Sequence, residues 1–192
     1  MKRTSLVFPG LATIALFAVG CAGSDSRPTS DGGSDTPADA ARPSMTHVVI
    51  NFDELTSDTP VTNQYATHAL FTTDSVPATA DAAVEVGQSE PNFLIAGSAF
   101  DTMHPLYVDF TTPVSNLRFN ALAIEDTGTI ATVRVLSGTN LLGTVDVQGK
   151  GTDRTPVPVD VSAYDGVTRI EVVDITDLYG IDYDDFAFDA AQ

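Results

Sequence analysis

The stretch IATVRVLSGTNLLGTVDV, residues 130–147, decides the fold class of this chain. Two runs rich in valine, threonine and leucine flank the segment Ser137-Gly138-Thr139-Asn140. Such runs favour β-strands, and a short segment with glycine and asparagine between two of them indicates a hairpin. Gln148-Gly149-Lys150-Gly151 then ends the second run. The stretch therefore predicts two neighbouring antiparallel strands.

Short runs of β-branched and aromatic residues, with turn residues between them, recur on both sides of this hairpin. Helical periodicity is hard to find anywhere past residue 45. Pro156 and Pro158 suit an edge strand, because proline cannot donate to a central ladder. The predicted strands are His47–Phe52, Ala69–Thr73, Ala83–Val86, Asn92–Ala96, Leu106–Phe110, Leu117–Ile124, Ile130–Leu136, Leu141–Val147, Val157–Val161, Thr168–Val173 and Ile181–Phe188. We predict an all-β fold of two antiparallel sheets in jelly-roll order, with a closed barrel as the alternative.

The N-terminus has the features of an export signal. After a basic start, the apolar stretch Leu6–Val19 is shorter than the roughly 20 residues that a membrane-spanning helix needs. Ala18-Val19-Gly20-Cys21 follows it and resembles the bacterial lipoprotein lipobox, in which the cysteine is acylated and becomes the first mature residue. We predict a lipoprotein signal peptide over residues 1–20, with Cys21 as the lipidation site. An ordinary signal peptide, with Cys21 incidental, is the alternative.

A tether is predicted between this signal and the β domain. Ala22–Ser44 contains no large aliphatic or aromatic side chain, so it cannot bury enough apolar area to offset the entropy of ordering it. We therefore divide the chain into a signal peptide (1–20), a disordered tether (21–45) and a β-sandwich (46–192). The predicted location is the cell envelope, through the lipid on Cys21. Ala22, and not Asp, follows the cysteine, which favours the outer membrane in a Gram-negative host.

Composition excludes several classes of function. With 26 acidic and nine basic side chains the formal charge is −17, which argues against binding a nucleic-acid backbone. A single cysteine cannot form an internal disulfide or a thiolate zinc site, and the three histidines are scattered.

Several motifs of the β domain resemble those of exported bacterial β-sandwich domains. The opening runs VINFDEL (49–55) and VTNQY (61–65) carry the resemblance, and PLYVDFTTPV (105–114), YDGVTRIEV (164–172) and IDYDDFAF (181–188) continue it. The architecture is similar to the galactose-binding-like and family 6-type carbohydrate-binding jelly rolls. This resemblance implies that the first and last strands pair and that a structural calcium ion is often held there. None of the motifs is catalytic.

Acidic residues near the ends of these two strands are the candidate metal ligands. Strand alternation puts Asp182, Asp184, Phe186 and Phe188 on one face, so that Asp184 points inward, where a carboxylate needs a partner charge or a metal. Oxygen ligands of this kind suit Ca²⁺. If the first and last strands are neighbours, as the resemblance implies, these carboxylates converge. The candidate ligands are Asp53, Glu54, Asp184 and Asp185, with Asp182 ranked below them. The alternative is that the acidic strand ends are simply solvated.

Carbohydrate binding and catalysis receive less support from the sequence. Sugar-binding modules stack pyranose rings on exposed aromatic residues, and this chain has no tryptophan and five tyrosines. Tyr179, beside Gly180 in the loop before the last strand, is the candidate ligand-binding residue; the alternative is that it covers the sandwich edge. No G-x-S-x-G elbow is present, and composition selects no catalytic carboxylate pair.

The predicted function is therefore a non-catalytic, surface-anchored and calcium-stabilised binding module for a glycan or another extracellular surface. One alternative is a structural or adhesive envelope lipoprotein without a small-molecule ligand. A glycan hydrolase is the third reading.

Overall fold

The computed structural model describes residues 44–74, 76–82, 91–97, 103–122, 124–151 and 155–192. Cys21, the predicted signal peptide, nearly all of the predicted tether and the predicted strand 83–86 lie outside these residues. Within the described ranges all regular structure is strand, and no helix there could cross a membrane. The prediction of an all-β fold is confirmed.

Eleven strands make up the described part of the chain. They are β1 (Met45–Ile50), β2 (Thr59–Val61), β3 (Ala69–Thr72), β4 (Ala78–Ala82), β5 (Asn92–Ile95), β6 (Leu106–Leu122), β7 (Thr127–Ser137), β8 (Asn140–Lys150), β9 (Val157–Asp160), β10 (Val167–Val173) and β11 (Asp182–Ala191). The hairpin predicted over residues 130–147 is β7–β8, and its turn contains Gly138 with a left-handed φ of 57°.

The strands form one hydrogen-bonded antiparallel path in the order β2-β4-β5-β11-β6-β10-β7-β8. Strands β1, β3 and β9 lie off this path and pair with β11, β6 and β6, respectively. Since β9 pairs with β6 alone among the described strands, Pro158 does lie in an edge strand. The division of these strands into two sheets in jelly-roll order stays a prediction.

Strand β6 joins two segments that the sequence predicts as separate strands. Its first part pairs with β3 and β10, and its last part pairs with β9 and β11. Between Asp109 and Val114 the register with β10 shifts, and Pro113 lies in this irregularity. A proline is tolerated there because its missing N–H is not needed for the ladder. β6 thereby connects the two halves of the strand path.

The first and last strands of the domain pair in antiparallel register, from Met45 opposite Ala191 to Ile50 opposite Phe186. This pairing is the one that the resemblance implies. The first and last described residues meet beside it, because the Gln192 backbone N–H donates to the Ser44 carbonyl over 3.0 Å. The open ends of β1 and β11 at Ile50 and Asp182 consequently bring the predicted acidic residues to one region.

An aromatic cluster packs directly beneath this region. The Phe52 ring lies edge-on to those of Phe71 and Tyr65, each with a centroid distance of 5.3 Å. Phe186 of β11 packs on Phe71 and stacks on Phe119 with centroids 5.0 Å apart. Burying several rings of this size supplies a large part of the apolar stabilisation of a domain, and it also fixes the backbone that carries the acidic residues.

Candidate functional site

A tight turn directly after β1 carries two of the predicted ligands, Asp53 and Glu54. Phe52 begins the turn in a left-handed conformation, with φ of 60°, and its carbonyl accepts a hydrogen bond from Leu55 N–H over 3.0 Å. This conformation is uncommon for a residue with a bulky side chain, and burial of the Phe52 ring holds it in place. The turn therefore places the two carboxylates beside the start of β11.

Asp53 is held by two asparagines. Asn51 Nδ2 donates to its Oδ2 over 2.6 Å, and the Asn92 backbone N–H approaches its Oδ1 at 3.4 Å. The buried Asn92 side chain also donates to the Leu55 carbonyl over 2.8 Å. These contacts tie the turn to β5 and fix the Asp53 carboxylate.

Asp184 and Asp185 diverge, although they are adjacent in β11. Asp184 is fully buried, on the inward side that strand alternation predicts, and its Oδ1 accepts a hydrogen bond from Asp185 N–H over 2.8 Å. Asp185 has a left-handed φ of 52° at a register shift between β11 and β6, and its Oδ2 accepts from Asn120 Nδ2 over 2.9 Å. The irregularity thus turns Asp185 toward β6. Asp182 is also buried.

Tyr65 is influenced by three of the predicted ligands. Burial raises the pKa of its hydroxyl well above the ordinary value, and the adjacent Glu54 carboxylate and the charges of Asp53 and Asp184 raise the pKa further. A negative charge near an ionisable hydroxyl favours its neutral form. We call Asp53, Glu54, Asp184 and Tyr65 the Tyr65 cluster.

The Tyr65 cluster contains the side-chain types that bind a hard cation, but these side chains are not arranged as a metal site. Carboxylate and carbonyl oxygens are the ligands that Ca²⁺ prefers. Among the residues that the structure describes, however, no three acidic, histidine or cysteine side chains are arranged as a metal-ligand group.

Tyr179 lies in a turn built by the buried Asp177. One carboxylate oxygen of Asp177 accepts backbone N–H bonds from Glu125 and Asp126, each over 3.0 Å, and the other accepts from Tyr179 N–H over 3.1 Å. The Asp177 carbonyl accepts a further bond from Gly180 N–H over 3.1 Å. A buried carboxylate is stable when its oxygens are satisfied in this way. The turn holds Leu178 and Tyr179 outward.

These two residues are the most exposed of the large apolar side chains in the described ranges. Leu178 is 75% and Tyr179 is 70% solvent-accessible. We call the pair the Leu178–Tyr179 tip. The exposure of Tyr179 agrees with the sequence prediction, while its role in binding stays a prediction.

Two of the histidines form pairs with aspartates. His47 Nδ1 lies 2.9 Å from Asp189 Oδ1, across the β1–β11 ladder, and His104 Nδ1 lies 2.8 Å from Asp74 Oδ1. The first of these pairs joins two strands and has a clear structural use.

Sequence reasoning missed the residues that organise both regions: Tyr65, Asn92, Asn120 and Asp177. Their contacts are long-range, and the only local signal is at Asp177, which precedes the residue pair Leu178-Tyr179 and then Gly180. In an Asx-type turn, the side chain of an aspartate accepts a hydrogen bond from the backbone N–H two residues later. That signal predicts the turn but not the burial of the carboxylate.

The similarity to galactose-binding-like jelly rolls is carried by the sequence motifs alone and stays a prediction. No protein-family model, curated protein sequence or solved structure matches this chain.

Proposed function

We propose that residues 46–192 form a non-catalytic binding module for a glycan or another extracellular surface, carried on a tether that is lipid-anchored at Cys21. The observation that carries this proposal is the Leu178–Tyr179 tip, which displays two large apolar side chains to solvent on a turn fixed by Asp177.

A rigid apolar tip favours binding over a purely structural role. Exposed apolar side chains gain nothing for the stability of the free domain, and burying them against a partner is favourable. A tyrosine can stack on a sugar ring or pack against a protein surface while its hydroxyl stays hydrogen-bonded. Because the turn is already ordered by Asp177, little conformational entropy is lost when a ligand binds.

A glycan array probed with the full chain carrying Cys21→Ser, which prevents lipidation, tests this function. We expect binding to at least one glycan class, and a loss of about tenfold or more in affinity for Tyr179→Ala. Val49→Ala removes an exposed apolar side chain from β1 and is the matched control, so it should leave the affinity unchanged. Equal affinities for the two variants would contradict a role of the tip.

If the chain binds no glycan on the array, the same variants should be tested for adhesion to whole cells and purified envelope material. If Tyr179→Ala still adhered like the unsubstituted chain, the structural envelope lipoprotein would be the better reading.

We further propose that Ca²⁺ stabilises the module at the Tyr65 cluster, with Asp53, Glu54 and Asp184 as the carboxylate ligands. The observation that favours this second proposal is the fully buried Asp184 in β11, the strand that pairs with β1, while Asp53 and Glu54 follow β1 directly. A buried carboxylate is stabilised by a nearby cation. Asp185 would contribute less, because its carboxylate is turned toward Asn120 of β6.

Thermal unfolding of the Cys21→Ser chain in chelator, and then in millimolar Ca²⁺, tests the ion. An ion bound only by the native state at a hundred times its Kd would stabilise it by about 2.7 kcal/mol, which raises the midpoint by several degrees. Asp184→Asn and Glu54→Gln should both lose this rise. Asp160→Asn, which neutralises an exposed carboxylate of β9, should keep it. An unchanged midpoint of the unsubstituted chain would show that the calcium proposal is wrong.

A further inference from the structure

A groove of about 430 Å³ lies where β2, β3 and the entry to β4 meet. Its apolar wall is formed by Val61, Phe71, Val76 and Pro77, and its polar rim includes Asp74. None of these residues belongs to the Leu178–Tyr179 tip or to the Tyr65 cluster. A concave apolar surface with a few polar groups at its rim is the usual form of a small-molecule site.

The aromatic residue in this groove does not offer a stacking face. Phe71 is almost fully buried, and its ring makes edge contacts with Phe52, Tyr65 and Phe186. A pyranose ring would therefore find no exposed aromatic platform in this wall. Val61 is equally buried, so the accessible apolar surface is that of Val76 and Pro77, which suits an aliphatic chain.

The rim carries a carboxylate at one place. The Asp74 side chain is about half exposed, so a ligand can reach it from the groove, and His104 Nδ1 lies 2.8 Å from its Oδ1. The Thr73 hydroxyl donates to the Val76 carbonyl, and both residues line the groove. An acidic group beside an apolar wall is complementary to a cationic head on an aliphatic chain.

The charge of the whole chain favours the same ligand. With a formal charge of −17 the protein repels anions and raises the local concentration of cations near its surface. An aliphatic carboxylate or phosphate would meet both this field and Asp74, whereas an ammonium is attracted by both.

We propose that this groove binds a small aliphatic primary amine, with its hydrocarbon chain against Val76 and Pro77 and its ammonium group donating to the Asp74 carboxylate. The ligand class is an amphiphilic organic cation. This site is independent of the proposed recognition through the Leu178–Tyr179 tip.

Isothermal titration calorimetry of the Cys21→Ser chain with 1-aminohexane, 1-hexanol and hexanoate tests the proposal. We expect 1-aminohexane to bind at least tenfold more tightly than 1-hexanol and hexanoate not to bind. Shortening the amine to 1-aminobutane should weaken binding by about tenfold, since two buried methylenes are lost. Equal binding of the amine and the alcohol, or no binding of 1-aminohexane, would overturn the proposal.

Two variants locate the site. Asp74→Asn should weaken the binding of 1-aminohexane by tenfold or more. Asp160→Asn removes one negative charge elsewhere and should leave this affinity unchanged. If Asp74→Asn does not fold, Val76→Thr keeps the shape of the wall and should reduce the difference between the six- and four-carbon amines. Equal losses in the two aspartate variants would show a diffuse charge effect and would reject the groove.

Discussion

At the scale of single residues, Tyr183 places a polar group inside the domain. Its side chain is fully buried near the start of β11, with the Phe119 ring 6.3 Å away, and among the described residues its hydroxyl has no hydrogen-bond partner. Burial raises the pKa of Tyr183 far above its ordinary value, and the charge of Asp182 raises it further. Tyr65 is shifted in the same direction.

These shifts predict unfolding at high pH. The folded-state pKa of both tyrosines lies above the unfolded value of about 10, so their contribution to stability is complete below about pH 10 and declines as the pH rises further. Tyr183→Phe removes one of the two titrating groups and a buried hydroxyl. We expect it to be at least as stable as the unsubstituted chain at pH 7 and to lose less stability between about pH 10 and 12.

Urea unfolding followed at several pH values measures this effect. Tyr179→Phe alters an exposed phenol and is the control, which should follow the unsubstituted chain at every pH. If Tyr183→Phe lost stability with pH as steeply as this control, burial of the phenol would not be the cause.

The inward position of Asp184 could be predicted, because strand alternation with Phe186 and Phe188 fixes its side. The position of Asp185 could not. The position of Asp185 depends on its own left-handed backbone conformation at an irregularity of β11, and nothing in the sequence indicates that conformation. The contact of Asp177 with Glu125 and Asp126 is likewise invisible, because it joins residues about 50 positions apart.

At the scale of elements, β8 depends on two glycines that have different neighbours. A Cβ atom at Gly149 would lie 2.3 Å from the Asp126 carbonyl oxygen, which is backbone. A Cβ atom at Gly143 would lie 2.3 Å from the Tyr164 hydroxyl, which is the far end of a side chain that can move. The turn at Glu125 and Asp126 is also the one that Asp177 bonds.

Alanine at these two positions should therefore have unequal effects. We expect Gly149→Ala to lower the free energy of unfolding by about 1–3 kcal/mol, as overpacking against backbone does, and Gly143→Ala to have a smaller effect. The midpoint of urea unfolding at constant slope measures both. An equal or larger loss for Gly143→Ala would contradict this reading of the contacts.

Most strands were predictable, including the four-residue strands β3, β5 and β9, but β2 and β4 were not. Alternation over β7, β8 and β10 is regular enough to be recognised without tertiary information. Strand β2 has three residues, one of them a proline, and β4 is rich in alanine, so neither carries the β-branched signal. The two predicted runs that became β6 were separated in the sequence by Pro113, which the register shift accommodates.

At the scale of the whole molecule, the pairing of β1 with β11 is the main long-range feature that the sequence motifs implied. No local property of either strand selects its partner, so only the proposed resemblance to jelly rolls predicted this pairing. The approach of Asp53, Glu54 and Asp184 to Tyr65 depends on that pairing, and so it could be anticipated only in outline. The groove beside Asp74 gave no signal, because its wall comes from three separate strands and loops.

The β1–β11 ladder also determines how the domain would bear a mechanical load. Residue 44 lies beside Gln192, whereas the Leu178–Tyr179 tip precedes the opposite end of β11, a strand of 10 residues. That length is about 34 Å at roughly 3.4 Å per residue. A pull between residue 44 and a body held at the tip would therefore run lengthwise along the ladder, so that its hydrogen bonds would resist together in shear. A pull between residue 44 and residue 192 would instead peel the same bonds apart one after another.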